Sequence, residues 1–378
     1  MLDPDTRDQL LDTVRRFVTE RLRPLEAEAD AMPDDLVAQM AELGLFGLSI
    51  PEAYGGLGLS MEDECRVAIE LGHASPAFRS VVGTNVGIGS QGLVMYGTAA
   101  QKAQWLSGIA SGEIITAFAL TEPDAGSDSA AVTTRAVRTA DGYVLNGAKR
   151  YITNADRASL FTVMARTDPS RAGAHGVSAF LVPADSPGLS VGKPERKMGQ
   201  HGAHVCDVVF EDVHVPAENR LGEEGEGFKL AMRVLDRGRL HISAVCVGVA
   251  ERLIVDVVAY AKARRQFGQA LSDFQLVQAM IADGKTECLA ARALTLETAR
   301  LRDSSAPTTL EAAAAKLFAS EMVGRVADRA VQIFGGAGYM AEYGIERLYR
   351  DVRLFRIYEG SSEIQKLVIA RETLKRGG

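Results

Sequence analysis

The sequence predicts a mainly helical fold with a central β domain, an α+β arrangement, on three observations. Apolar residues recur at helical spacing in the first third, short β-rich runs bounded by Pro, Gly and Asp fill the middle, and long helical stripes return afterwards. The expected division is an N-terminal helical domain over 1–116, a middle β domain over 117–226 and a C-terminal helical bundle over 227–378. A chain of 378 residues, 47% hydrophobic and 24% charged, is long enough for two or three packed cores.

Each element has its own signal. Asp3 before Pro4 makes a cap and first-turn pair, and Leu10, Val14 and Phe17 follow at helical spacing. Glycine-rich turns such as Tyr54-Gly55-Gly56 separate the helices that come next. Strands are expected from Phe161 to Ala165, Val177 to Val182 and Val205 to Phe210, with a hairpin turn at Asp141-Gly142 between Val137 and Val144. One late stripe runs through Ile242, Val245, Val249, Leu253, Val257 and Tyr260. Another runs through Leu310, Ala314, Phe318, Met322, Val326, Ala330 and Ile333, stopped by Gly335-Gly336.

Bulk charge narrows the function. Lys plus Arg is 42 against 49 for Asp plus Glu, a net charge of -7, which gives no general attraction to nucleic acid or anionic membrane. No apolar run approaches the roughly 20 residues of a membrane span, and the N-terminus carries acidic Asp3 and Asp5, so a cytoplasmic protein is expected. Cys65, Cys206, Cys246 and Cys288 lie far apart, which suits reduced thiols. His201 and His204 are three apart without an evident third ligand, and no metal is expected.

The segment Phe118-Ala119-Leu120-Thr121-Glu122-Pro123-Asp124-Ala125-Gly126-Ser127-Asp128 runs from an apolar strand into a loop of small residues, hydroxyls and exposed amides. Such a loop can bind a flat polar ring and a phosphate, although it is also ordinary turn chemistry. It is followed by Tyr151-Ile152-Thr153-Asn154, Arg264-Arg265-Gln266-Phe267-Gly268, Gln332-Ile333-Phe334-Gly335-Gly336 and Ile357-Tyr358-Glu359-Gly360-Ser361-Ser362-Glu363. Gly335-Gly336-Ala337-Gly338 follows a helix rather than a strand, which argues against a nicotinamide dinucleotide site.

With these five motifs in order, the chain resembles the acyl-CoA dehydrogenase family over essentially its whole length. The resemblance implies a β-barrel-like middle domain, a C-terminal four-helix bundle and FAD as cofactor. It places Phe118, Leu120 and Thr121 at the flavin ring, Ser127 near pyrophosphate and coenzyme A, and Tyr151 and Thr153 beside the isoalloxazine. Many relatives have Trp where this chain has Tyr151. Arg264 and Phe267 match cofactor-phosphate positions; Phe274, Gln275, Gln332, Gly335 and Gly336 match the adenosine end; Ser361 and Glu363 complete the cofactor set. Some of these come from a neighbouring subunit in the family, so the resemblance implies a homo-oligomer, usually a tetramer. Electron-transfer flavoprotein is the implied electron acceptor, and lipid metabolism, including fatty acid β-oxidation, the implied setting.

The family's reaction converts a saturated acyl-CoA to a trans-2-enoyl-CoA, and Glu359 matches its base. An α-proton of a thioester is only weakly acidic, so burial must raise the carboxylate's pKa, and donors must stabilise the developing enolate. A lone glutamate before Gly360 could equally be a surface or capping residue. One family branch takes its base from an earlier helix, at the position of Gly238, leaving Glu359 as the candidate. Asp236, Arg239 and Gly360 match substrate-side positions, with Arg239 near the base or simply paired to Asp236. Phe78-Arg79-Ser80 resembles the pair with which the glutaryl-CoA dehydrogenase branch receives a distal carboxylate, so Arg79 is a candidate for selecting a dicarboxylic acyl-CoA or for a structural role. His201, Ala203, His204 and Val205 depart from the family's usual Arg, Ser and Thr after Lys197-Met198-Gly199. Two alternatives stay open: a flavin oxidase or monooxygenase on the same fold, and a non-catalytic acyl-CoA or flavin scaffold.

Overall fold

The Asp3 carboxylate accepts the Thr6 N–H at 3.0 Å, and Pro4 occupies the first turn of α1 (Pro4–Phe17). This computed structural model describes residues 2–27, 31–171 and 173–377. Five more helices follow: α2 (Asp34–Glu42), α3 (Met61–Leu71), α4 (Pro76–Thr84), α5 (Gln91–Tyr96) and α6 (Ala99–Ser111). Phe17, Leu36, Phe46 and Phe78 share their core.

The middle of the chain forms one sheet. Its strands are β1 (Thr116–Ala119), β2 (Arg135–Arg138), β3 (Gly142–Thr153), β4 (Leu160–Arg166), β5 (Val177–Pro183), β6 (Leu189–Val191), β7 (Val205–Pro216) and β8 (Arg220–Leu221). The order is β6-β7-β3-β2-β4-β5-β8, with β1 joined in parallel to β4. Val137 lies opposite Val144, so the chain does reverse at Asp141-Gly142. Strand β7 runs on to Pro216, past the expected end at Phe210, because Val213 and Val215 pair with Leu145 and Tyr143 beyond a register shift. Polar Glu211 and Asp212 sit between its two halves and hide the continuation in the sequence. Strand β4 is buried on both faces: Phe161, Val163 and Ala165 enter the core within the sheet domain, while Leu160 and Met164 pack with Ile109, Leu230 and Val234 from the helices.

The C-terminal bundle is built from α7 (Gly227–Ala263), α8 (Gln275–Asp303), α9 (Thr309–Phe334) and α11 (Ser362–Arg376), with α10 (Ile345–Val352) across α9 and α3 against α7 and α8. A short hairpin, β9 (Arg265–Gln266) with β10 (Gln269–Ala270), joins α7 to α8. The α7 stripe is buried as expected from Ile242 to Val257, and Tyr260 stacks on Phe334 with centroids 4.0 Å apart. The α9 stripe needs correction in its first half. Leu310, Ala314 and Phe318 are half-buried, while Ala312, Ala315, Lys316 and Ala319 are buried, because α9 is packed by α7, α8 and α11 at once. Among the described residues no helix is long and apolar enough to cross a membrane, and all four cysteines are free and buried.

One buried ion pair fixes the loop after β1. Lys149, fully buried on β3, donates to Glu122 Oε1 at 2.7 Å and to the Leu120 carbonyl at 3.2 Å. Glu122 also accepts from the backbone N–H and hydroxyl of both Thr133 and Thr134. Burial opposes the charge, but Lys149 and these donors outweigh it and hold the carboxyl down to about 2. A lowered carboxyl pKa stabilises the fold above its unfolded value of 4.5 and loses that contribution as pH falls towards about 2. Glu122→Gln strands a buried ammonium and should destabilise by about 3–5 kcal/mol, more than Glu122→Gln combined with Lys149→Met. Denaturant unfolding of the three proteins tests this; a single variant at least as stable as the double contradicts it.

Candidate active site

A cavity opens where the N-terminal helices, the sheet and the bundle meet. Its walls come from α4 (Arg79, Ser80, Thr84), the end of β1 and its loop (Phe118, Leu120, Thr121, Gly126, Ser127), β3 (Tyr151, Thr153), α7 (Met232, Leu235, Arg239) and the turn before α11 (Tyr358, Glu359, Gly360). Ten residues that the sequence singled out therefore come together: Phe118, Leu120, Thr121, Ser127, Tyr151, Thr153, Arg79, Arg239, Glu359 and Gly360.

Glu359 projects from an unusual turn. Its φ is 52° and that of Gly360 is 89°, two left-handed residues in succession. Gln365 on α11 donates to both carbonyls, at 3.1 Å to Glu359 O and 3.0 Å to Gly360 O. Ser361 caps α11 through the Ile364 N–H. Ser361 and exposed Glu363 thus flank the cavity without lining it.

The carboxylate of Glu359 lies over Gly238. A Cβ at Gly238 would come within 2.2 Å of Glu359 Oε2, so glycine there makes the room the glutamate occupies. Glu359 Oε2 is buried and without a hydrogen-bond partner among the described residues. Burial pushes its carboxyl above the ordinary range, against the opposing charges of Arg79, Lys316 and Arg239.

Two arginines face this carboxylate. Arg239 Nη1 donates to Asp236 Oδ1 at 2.5 Å, and Asp236 Oδ2 accepts from Thr309, so both the pairing and the proximity to Glu359 expected for Arg239 occur together. Asp236 itself stands behind Arg239, not in the cavity wall. Arg79 is 4% exposed and its Nε donates to His241 Nδ1 at 3.1 Å. Burial and the Arg79 charge keep His241 neutral, well below its usual range.

On the opposite wall, Tyr151 has φ 58° at the irregular end of β3 and remains 57% exposed, with the Arg150 guanidinium 5.0 Å from its ring centroid. Asn154 ties this end to α4 and β1 by donating to Val81 O and Thr116 O.

The rest of the expected set lies elsewhere. Arg264, Phe267, Gln275, Gln332, Gly335 and Gly336 are exposed and Phe274 half-exposed, grouped around the β9–β10 hairpin and the facing ends of α7, α8 and α9. Phe267 is 93% exposed and touches Phe274 edge-on. Arg264, the C-cap of α7, lies 25 positions beyond Arg239, about 38 Å along the helix, so this group cannot reach the cavity of its own chain. Sequence reasoning missed Ser129, Met232, Leu235 and Ile364 in the walls, and Lys316, Gln365 and His241 behind them. Lys316 carried a signal: it directly follows the alanine run Ala312-Ala313-Ala314-Ala315 in a helix that needs apolar faces.

The acyl-CoA dehydrogenase N-terminal, middle and C-terminal domain models match residues 4–113, 117–213 and 225–374. The chain is 42% identical over 375 residues to the probable acyl-CoA dehydrogenase YngJ of Bacillus subtilis, covering 98% of this chain and 99% of that protein. The chain belongs to the acyl-CoA dehydrogenase family. Another relative, the caffeyl-CoA reductase-Etf complex subunit CarC of Acetobacterium woodii, is 41% identical over 362 residues, 96% of this chain and 95% of that one. The solved butyryl-CoA dehydrogenase of Megasphaera elsdenii superposes with a TM-score of 0.96 at 38% identity, over 99% of both chains.

The family is one of FAD-dependent oxidoreductases, and the residues present fit that group. The cavity offers hydroxyls at Thr121, Ser127 and Thr153 and an exposed aromatic at Tyr151, and its buried Glu359 Oε2 and Arg239 Nε lack partners among the described residues. Because Glu359 Oε2 is the flexible end of a side chain, Gly238→Ala should leave the family fold intact and displace the carboxylate. The expected result is stability unchanged within about 1 kcal/mol and turnover lowered by roughly a hundredfold, because the carboxylate is displaced from its place in the cavity. Unfolding curves and steady-state rates measure both; wild-type turnover in the variant contradicts the placement.

Proposed function

We propose that this protein catalyses the α,β-dehydrogenation of a saturated acyl-CoA to a trans-2-enoyl-CoA, with Glu359 taking the α-proton. The observation that carries the reading is the buried Glu359 carboxylate, its Oε2 without a hydrogen-bond partner among the described residues, in a cavity whose far wall is made by Thr121, Ser127, Tyr151 and Thr153. Bound FAD would supply the acceptor for the β-hydride.

The chain's own residues would hold the cofactor and place the proton. Phe118 and Leu120 offer an apolar bed, Thr121, Ser127 and Thr153 offer hydroxyls, and Tyr151 a flanking ring. Arg264, Phe267, Phe274, Gln275, Gln332, Gly335 and Gly336 would serve the cofactor of a second copy, which their separation from the same chain's cavity supports and which favours a homo-oligomer. Ser361 and Glu363 would act from the start of α11. Glu359 in its charged form abstracts the α-proton, and its backbone N–H donates to the thioester carbonyl as charge develops there. Arg239, steadied by Asp236, orients the carboxylate, and Gly360 lets the turn bring it to the substrate. Electron-transfer flavoprotein is the acceptor we favour, given the name of the CarC relative.

Because the Glu359 carboxyl is raised and must lose its proton to act, kcat/KM should climb with pH along a limb above the ordinary carboxylate range. The direct test is Glu359→Gln in the FAD-loaded enzyme, mixed anaerobically with butyryl-CoA. It should retain FAD and bind the thioester yet reduce flavin roughly a thousandfold or more slowly. Reduction within about threefold of wild type would refute the role of Glu359.

A second reading has one observation in its favour. The Arg79 guanidinium lies in the cavity wall with neutral His241 as its hydrogen-bond partner and no carboxylate in an ion pair among the described residues. Such a cation suits an acyl chain ending in a carboxylate. It predicts a higher kcat/KM for glutaryl-CoA than for butyryl-CoA, lost in Arg79→Ala; equal preference in wild type and variant excludes it.

A further inference from the structure

Lys316 belongs to no part of the chemistry above, yet it is among the largest fully buried side chains of the protein. It stands on α9 between Ala315 and Ala319, in a stretch otherwise packed with small apolar residues. Its Nζ donates to the Gly360 carbonyl at 2.7 Å. That carbonyl also accepts from Gln365, so both of its lone pairs are used, and the carbonyl of Glu359 is held by the same amide. The two residues so anchored are those with φ of 52° and 89°.

We propose, on the reading of Glu359 as base, that Lys316 is a positioning residue: its ammonium clamps the left-handed turn that carries Glu359 and brings a positive charge to the carboxylate. A buried lysine is costly unless its charge is used, and an alanine or leucine here would fill the same helix face without that cost. The amide of Gln365 could satisfy the carbonyls alone; what it cannot provide is charge. The charged and titratable groups around the pair come from several elements. Arg79 on α4 and Arg239 on α7 also face Glu359, while Cys246 on α7 and Glu321 on α9 face Lys316. Burial draws the Lys316 ammonium down to about 8, so it is still charged at neutral pH.

The sign of its effect follows. A cation beside Glu359 favours the carboxylate, so removing it raises the pKa of the base and moves the acidic limb of activity upward. The test uses FAD-loaded wild type, Lys316→Met, Lys316→Gln and Lys316→Arg, with butyryl-CoA in anaerobic flavin reduction across pH. Lys316→Met should retain FAD, keep KM within about threefold, lower kcat at neutral pH about tenfold, and shift the acidic limb of kcat/KM up by on the order of one pH unit. Lys316→Gln, which keeps a donor without charge, should show the same shift even if Lys316→Met folds poorly, and Lys316→Arg should restore the wild-type limb. An unmoved limb in Lys316→Gln overturns the proposal. Glu359→Gln in the same assay separates the two claims: if it is inactive while the lysine variants leave the limb in place, only the role of Lys316 fails, and if it is active the base assignment fails first.

Discussion

A carboxylate removed from water is pushed towards its neutral form unless opposite charge is brought to it, and at Glu359 these two effects meet. Burial raises the carboxyl above its ordinary range, and three cations oppose that shift from three different helices, Arg79 on α4, Lys316 on α9 and Arg239 on α7. None of these is near Glu359 in sequence. The site therefore exists only when the N-terminal helices dock on the bundle and the bundle is closed.

The remaining features read as consequences of that demand. Gly238 gives up its side chain so that Oε2 can lie against α7. The turn at Glu359 and Gly360 takes a strained conformation, which Gln365, Lys316 and the Ser361 cap stabilise. Across the cavity the loop after β1 is held by the buried Lys149–Glu122 pair, so the two walls are set by independent polar networks. A fixed frame on each side suits the proposed dehydrogenation, in which a proton and a hydride leave neighbouring carbons.

Much of this was legible in the sequence because it is carried by short, ordered motifs. The Tyr358-Glu359-Gly360 run and the bare Gly238 pointed to Glu359 as the candidate base, whose carboxylate lies over Gly238, and the pairing of Val137 with Val144 about Asp141-Gly142 marks the hairpin. The strand from Val205 was read too short because Glu211-Asp212 breaks its pattern at a bulge. The expected stripe on α9 is only half-buried at its start, since a helix packed on three sides has no single apolar stripe, and the buried face that carries Lys316 is not marked by that periodicity. The Arg264 and Gln332 motifs were recognisable by residue type, but their distance from the cavity follows from the length of α7, which periodicity does not measure.

Proton abstraction can be isolated from hydride transfer with 3-thiabutyryl-CoA, whose sulfur replaces the β-carbon. With FAD-loaded enzyme in D2O, mass spectrometry of the recovered thioester reports deuterium gained at the α-carbon. The account predicts rapid α-exchange by the wild type and almost none by Glu359→Gln, with both proteins binding the ligand. Equal exchange by the two would contradict Glu359 as the base.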